Sequence, residues 1–144
     1  MPTSSDVAGF TDTMTIDHAR LLAEARSAAA ASYSPYSRFR VGAAVATSDG
    51  TVIRGCNVEN ASYGLAVCAE RTAVLAAVAA GHRDLVALSV SCPDGDLSRP
   101  ETLMPCGACR QVLAELLVPG ALILVDGLGT FALDDLLPSP FRLA

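Results

Sequence analysis

The chain has 144 residues, 51% of them hydrophobic, with a formal charge of −5. It is long enough to bury a core without a disulfide scaffold, and its ten basic residues are isolated arginines with no stripe that could neutralise several phosphates. Polynucleotide substrates are therefore disfavoured, a small uncharged or weakly charged substrate is favoured, and five cysteines, three in metal-type spacing, fit a reducing cytoplasmic setting better than secretion.

Residues 1–15 contain Asp6 and Asp12, no basic cluster and no apolar run of signal-peptide length, and read as a polar tail ahead of one domain over 16–144. Alanine-rich sequence from Ile16 to Ser32 predicts a first helix, with Arg20, Glu24 and Ser27 on one face and Leu22, Ala25 and Ala29 on another. Ser34-Pro35 stops it. Phe39 to Thr47 is apolar apart from Arg40, the pattern of a central strand, and Ser48-Asp49-Gly50 turns it into an antiparallel partner over Thr51 to Cys56. Asn57 to Val67 reads as polar and irregular.

A second helix is expected from Cys68 to Ala80, closed by Gly81. Its apolar part, Thr72 to Gly81, is about half the length needed to cross a bilayer, so no membrane span is expected. A strand over Leu85 to Ser91 follows, then a loop from Pro93 to Pro105 and a third helix from Cys106 to Leu117, broken by Pro119-Gly120. Ala121 to Val125 is a short strand, Gly127 and Gly129 make a turn, and Leu133 to Leu137 form a last helical turn. Helices alternating with strands after an opening hairpin predict a layered α/β domain with a mixed sheet covered on both faces.

The chemistry concentrates in Cys68-Ala69-Glu70 and Pro105-Cys106-Gly107-Ala108-Cys109. Three thiolates hold one zinc and leave its fourth tetrahedral position to water, while a carboxylate beside the first ligand can move protons. Cys68 and Cys106 fall at expected helix starts, where backbone N–H groups and the helix dipole favour thiolate. Three thiolates on a divalent ion leave a charge of about −1, which Arg71 and Arg110 are placed to offset by hydrogen bonds to sulfur. A structural zinc module would need a fourth ligand, and neither His18 nor His82 has a suitable spacing; a thiol redox protein built on Cys106-x-x-Cys109 leaves Cys68 and Glu70 unexplained. Taken singly, other residues have plainer readings: Phe39 as core, Asn57 and Glu59 as loop polar groups bonding backbone, Cys56 and Cys92 as buried small apolar residues.

Cys-Ala-Glu followed by Pro-Cys-x-x-Cys resembles the zinc nucleoside and nucleotide deaminases. Phe39-Arg40-Val41-Gly42-Ala43-Ala44, Gly55 to Tyr63, Cys68 to Arg71 and Pro105 to Gln111 narrow the resemblance to the small homotetrameric cytidine deaminases, from the first helix to the C-terminus. It implies a three-layer α-β-α sandwich around a mixed, roughly five-stranded sheet. It also implies one Zn2+ per chain and hydrolysis of cytidine and 2'-deoxycytidine to uridine and 2'-deoxyuridine plus ammonia in pyrimidine salvage; an alternative within the resemblance is a cytosine-containing antibiotic nucleoside. Carried over by position, Cys68, Cys106 and Cys109 bind zinc, Glu70 shuttles protons and the Ala69 backbone reads the base edge. Phe39 lies against the pyrimidine, Asn57 and Glu59 bind the ribose, Ala61 and Tyr63 reach a neighbouring subunit's site, and Phe141 closes another. Met104, where a small hydroxyl residue is more usual, departs from the pattern.

Overall fold

Asp17 opens the first helix by accepting a hydrogen bond at Oδ1 from the Arg20 N–H, 3.0 Å away, so one free donor of the first turn is satisfied by its cap. This helix, α1 (His18–Ala28), continues as a 3-10 turn over Ala29–Ala31. In the computed structural model residues 16–144 are described; the tail expected over 1–15 lies outside the described residues. The buried face of α1 runs through Leu21, Ala25 and Ala28, with Leu22 only partly covered. Of the expected face, Ala25 and Ala29 are buried and only Leu22 gives way to its neighbour Leu21, because two adjacent leucines fit an alanine-rich periodicity almost equally well.

The remaining elements are β1 (Gly42–Thr47), β2 (Val52–Cys56), α2 (Ala69–Ala79), β3 (Leu85–Ser91), α3 (Gly107–Leu116), β4 (Leu117–Val125), β5 (Gly129–Ala132) and α4 (Leu133–Leu136). One five-stranded sheet has the order β2-β1-β3-β4-β5, antiparallel throughout except for the parallel pair β3 and β4. The crossover between that pair carries α3, as a parallel connection requires. On β1, Ala43 and Val45 pack with α2 and α3, while Ala44 and Ala46 pack with α1. The sheet is thus covered on both faces, and the expected three-layer arrangement is what forms.

Two departures concern the C-terminal third. Pro119-Gly120 was expected to end a helix and precede a separate strand; instead α3 passes straight into β4, and the pair sits in an irregularity of register between Leu85↔Leu117 and Ala87↔Leu122. A bulge absorbs the missing proline donor. The strand β5 was not expected, since two glycines flanking Leu128 read as a turn, yet Gly129–Ala132 pairs with β4. The first strand also starts at Gly42, with Phe39 to Val41 as an extended lead-in.

Register explains where the chemistry gathers. Gly42 at the start of β1 faces Cys56 at the end of β2 and Ser91 at the end of β3. Phe39 to Val41, Asn57 and Cys92 therefore leave the sheet along one rim. Helix α2 is brought to the same rim by close contact with β2: a Cβ on Gly55 would lie 2.3 Å from Ala73 N and 2.7 Å from Ala69 O. Thr72 Oγ1 also donates to the Cys56 carbonyl at 2.7 Å, which fixes the first turn of α2 against the strand end. Among the described residues, no helix is long and apolar enough to cross a membrane.

Candidate active site

Cys68 caps α2 and Cys106 caps α3, both with extended backbone and neither with a side-chain capping bond, so their sulfurs are free for another use. With Cys109, one turn into α3, their Sγ atoms all lie within 4.8 Å of one another, and Cys106 and Cys109 are 3.5 Å apart. Zinc–sulfur bonds at a tetrahedral centre put sulfurs about 3.8 Å apart, so the trio fits one zinc ion. The donor set agrees: three soft ligands, two at helix N-termini, and, among the described residues, no fourth His, Cys, Asp or Glu in the cluster.

Arg71 reaches the sulfur cluster. Its Nη2 donates to Cys68 Sγ at 3.6 Å, and its Nε is buried with no partner. A hydrogen bond from the Cys109 thiol, with that from Arg71 behind it, brings Cys68 down to about 5, whereas Cys109 is held well above the usual thiol range chiefly by the same shared bond. Arg110 does something else than expected. Its Nε donates to the Pro105 carbonyl and its Nη1 to the Leu136 carbonyl, both at 2.8 Å, so it braces the turn before Cys106 against α4 instead of touching sulfur.

Glu70 is only 5% exposed, and burial pushes its carboxyl up to about 7. It lines a cavity of about 170 Å³ together with Phe39, Asn57, Cys68, Ala69 and Cys106. The structure thus joins residues from β1's lead-in, β2's exit and two helix starts. Asn57 is heavily committed: Nδ2 donates to the Phe39 carbonyl at 2.7 Å, and Oδ1 accepts from the Val41 N–H at 2.9 Å and from the Ser32 hydroxyl. One amide N–H is left for a ligand. Both readings of Asn57, backbone brace and pocket group, describe the same side chain.

Glu59 and Tyr63 line a separate cavity of about 350 Å³ with Tyr36 and Ser37. The Glu59 carboxylate accepts from the backbone N–H groups of Tyr36 and Ser37 at 3.0 and 3.1 Å and from the Ser37 hydroxyl at 2.5 Å, the last contact doing most to hold it below the usual carboxylate range. Tyr63 is 78% exposed and meets Tyr36 edge-on with ring centroids 6.2 Å apart. Ala61 is exposed and Phe141 is 70% exposed, and neither lines the two cavities.

Cys56 and Cys92 were expected to be buried and are both partly buried, Cys92 packed against the core. Cys92 lines the Glu70 cavity, as do Leu103 and Met104, and burial pushes its thiol up to about 12. Sequence reasoning missed these three as pocket residues. The available signal was position: Cys92 is the first residue beyond a buried central strand, where α/β sheets place ligands.

The family model for the cytidine and deoxycytidylate deaminase zinc-binding region matches residues 15–124. The chain belongs to the cytidine and deoxycytidylate deaminase family. It is 55% identical to a cytidine deaminase of Halalkalibacterium halodurans over 101 residues, 70% of this chain and 73% of that one. It is 49% identical to a cytidine deaminase of Mycobacterium tuberculosis over 129 residues, 89% of this chain and 92% of that one. A crystal structure of the M. tuberculosis cytidine deaminase superposes with a TM-score of 0.79 at 46% identity, covering 90% of this chain and all of that one. For the cytidine deaminase of Burkholderia pseudomallei the TM-score is 0.78 at 44% identity, with 88% of this chain covered. The deaminase motifs quoted from the sequence therefore sit in a deaminase fold.

Proposed function

We propose that this chain hydrolyses cytidine and 2'-deoxycytidine to uridine and 2'-deoxyuridine, releasing ammonia, as a step of pyrimidine salvage. The observation that carries the reading is Glu70, a buried carboxyl whose cavity opens onto two of the three clustered sulfurs, in a chain closely similar to cytidine deaminases. Zinc held by Cys68, Cys106 and Cys109 supplies, when bound, the Lewis acidity that readies a water molecule for attack on carbon.

A carboxyl near 7 both accepts and returns a proton at neutral pH. Glu70 takes one proton from the attacking water and delivers it to the base ring nitrogen; it then takes the remaining proton from the hydroxyl formed on carbon and delivers it to the amino group, which leaves as ammonia as the C–N bond breaks and the carbonyl forms. Ala69 is the first helical residue of α2, so its N–H has no intrahelical acceptor and can meet the base edge. Phe39 offers a flat face to the pyrimidine, and a cavity of about 170 Å³ suits one small ring better than two fused ones. Asn57 contributes its remaining N–H to a ribose hydroxyl, and Glu59, oriented by three donors, accepts from another.

Tyr63 and Phe141 support assembly into a homotetramer with shared sites, since each exposes a large aromatic ring outside the Glu70 cavity. In that assembly Ala61 and Tyr63 approach a neighbour's nucleoside and Phe141 closes another's. The three thiols must stay reduced to bind metal, which favours a cytoplasmic setting. The test is an absorbance assay of cytidine conversion with a metal count on the same sample. About one zinc per chain and stoichiometric uridine are expected. Glu70→Gln should keep zinc and lose at least about 100-fold in rate; retained turnover refutes the proton role.

A further inference from the structure

The Glu70 cavity has two walls drawn from distant parts of the chain. Phe39 and Val41 form one as the chain enters β1; Cys92, Leu103 and Met104 form the other, between β3 and α3. Cys92 directly follows the Gly42↔Ser91 pair and is placed by the ladder, but Leu103 and Met104 belong to a connection whose only regular element is a 3-10 turn at Pro100–Thr102, so no sheet ladder fixes their distance from the first wall. A side-chain pair spans the gap. Arg40, between Phe39 and Val41, donates from Nη2 to Asp94 Oδ1 at 2.7 Å and from Nε to Asp94 Oδ2 at 3.0 Å. Its backbone N–H also donates to Oδ2, at 2.9 Å.

Asp94 is itself tied to the far wall. It lies in a turn closed by the Gly95 N–H on the Cys92 carbonyl at 2.9 Å, and a Cβ on Gly95 would lie 2.3 Å from Leu103 Cδ2. The chain of contact therefore runs from the peptide between two residues of one wall, through Arg40 and Asp94, to two residues of the other.

We propose that the Arg40–Asp94 pair is a latch that sets the separation of the two cavity walls, which makes both residues positioning residues for the pyrimidine. A guanidinium fork bound through two nitrogens fixes distance and orientation together, as a point charge does not. The backbone bond extends this control to the peptide that carries Phe39. Both side chains are partly exposed, so solvent screens the pair's contribution to global stability and most of its effect falls on local geometry.

The kinetic part rests on the cytidine deaminase reading; the structural part does not. Arg40→Gln, Asp94→Asn and the double variant are compared with the wild type as zinc-loaded proteins. Measured quantities are kcat and KM for cytidine, zinc content, and amide hydrogen exchange over residues 93–104. Each single variant should raise KM about fivefold with kcat within about twofold, keep its zinc and speed exchange in that segment, and the double variant should be no worse than either single. Wild-type KM and exchange in the single variants, or effects that add in the double, overturn the latch. A wild type inert toward cytidine overturns the activity reading alone, and the exchange rates then decide the latch.

Discussion

Arg71 spends its charge where three sulfurs concentrate negative charge, with Nη2 on Cys68 and Nε buried beside it. Its guanidinium is raised above its ordinary value first by that bond to Cys68, so it stays charged under all folding conditions. Arg71→Gln keeps a donor but removes the charge, and should weaken zinc affinity about 10- to 100-fold in competition with a chromogenic chelator. Undiminished retention in that variant refutes the assignment. The clustered residues are legible in sequence because Cys106 and Cys109 are brought together by one helical turn, and because Glu70 follows the cap Cys68 in the first turn of α2. Arg110 was misread for the opposite reason: its partner, the Leu136 carbonyl, is 26 residues away and comes near only through packing of α4 on α3. Asn57 was legible as a polar group that bonds backbone, but its grip on both Phe39 and Val41 depends on strand register.

At the scale of elements, the site depends on how closely α2 lies on β2. Gly55→Ala would drive a methyl into Ala73 N and Ala69 O, displacing the first turns of α2 and with them Cys68. The variant should melt lower by about 1–3 kcal/mol of stability and hold less than one zinc per chain. Normal melting with full zinc content argues that the helix has room to move. Element types were legible where period and punctuation agree, as in β3, whose Leu85–Ser91 span is the one expected, and in α2. They failed where local chemistry and tertiary pairing conflict. Pro119-Gly120 is a breaker by composition, yet β3 supplies a parallel neighbour that carries β4 through it; Gly129 to Ala132 is a turn by composition, yet β4 supplies an antiparallel one.

For the whole molecule, several carboxylates in surface contacts titrate below their usual range. The Arg26 bond lowers Asp126, the Arg40 bond brings Asp94 to about 2, and the Thr47 hydroxyl brings Asp49 to about 2. Depressed folded-state values stabilise the native form above the unfolded carboxylate range near about 4, and that contribution is lost as pH falls through the folded values. Melting temperature should therefore drop between about pH 4 and pH 2, and Asp126→Asn should flatten part of the slope. An identical profile in the variant removes Asp126 from the account. Asp126 links α1 through Arg26 to the end of β3 through Ser91, so the loss is felt across both layers. The register that gathers Phe39, Asn57, Cys68 and Cys92 on one rim also sets the three clustered cysteines away from the opposite rim. There the Ser48–Gly50 turn meets the α2–β3 connection through the Ser48 N–H on the Asp84 carbonyl. Extra sequence, a fluorophore or a surface tether carried at this rim would hang off the blunt end of the molecule, away from the Glu70 cavity.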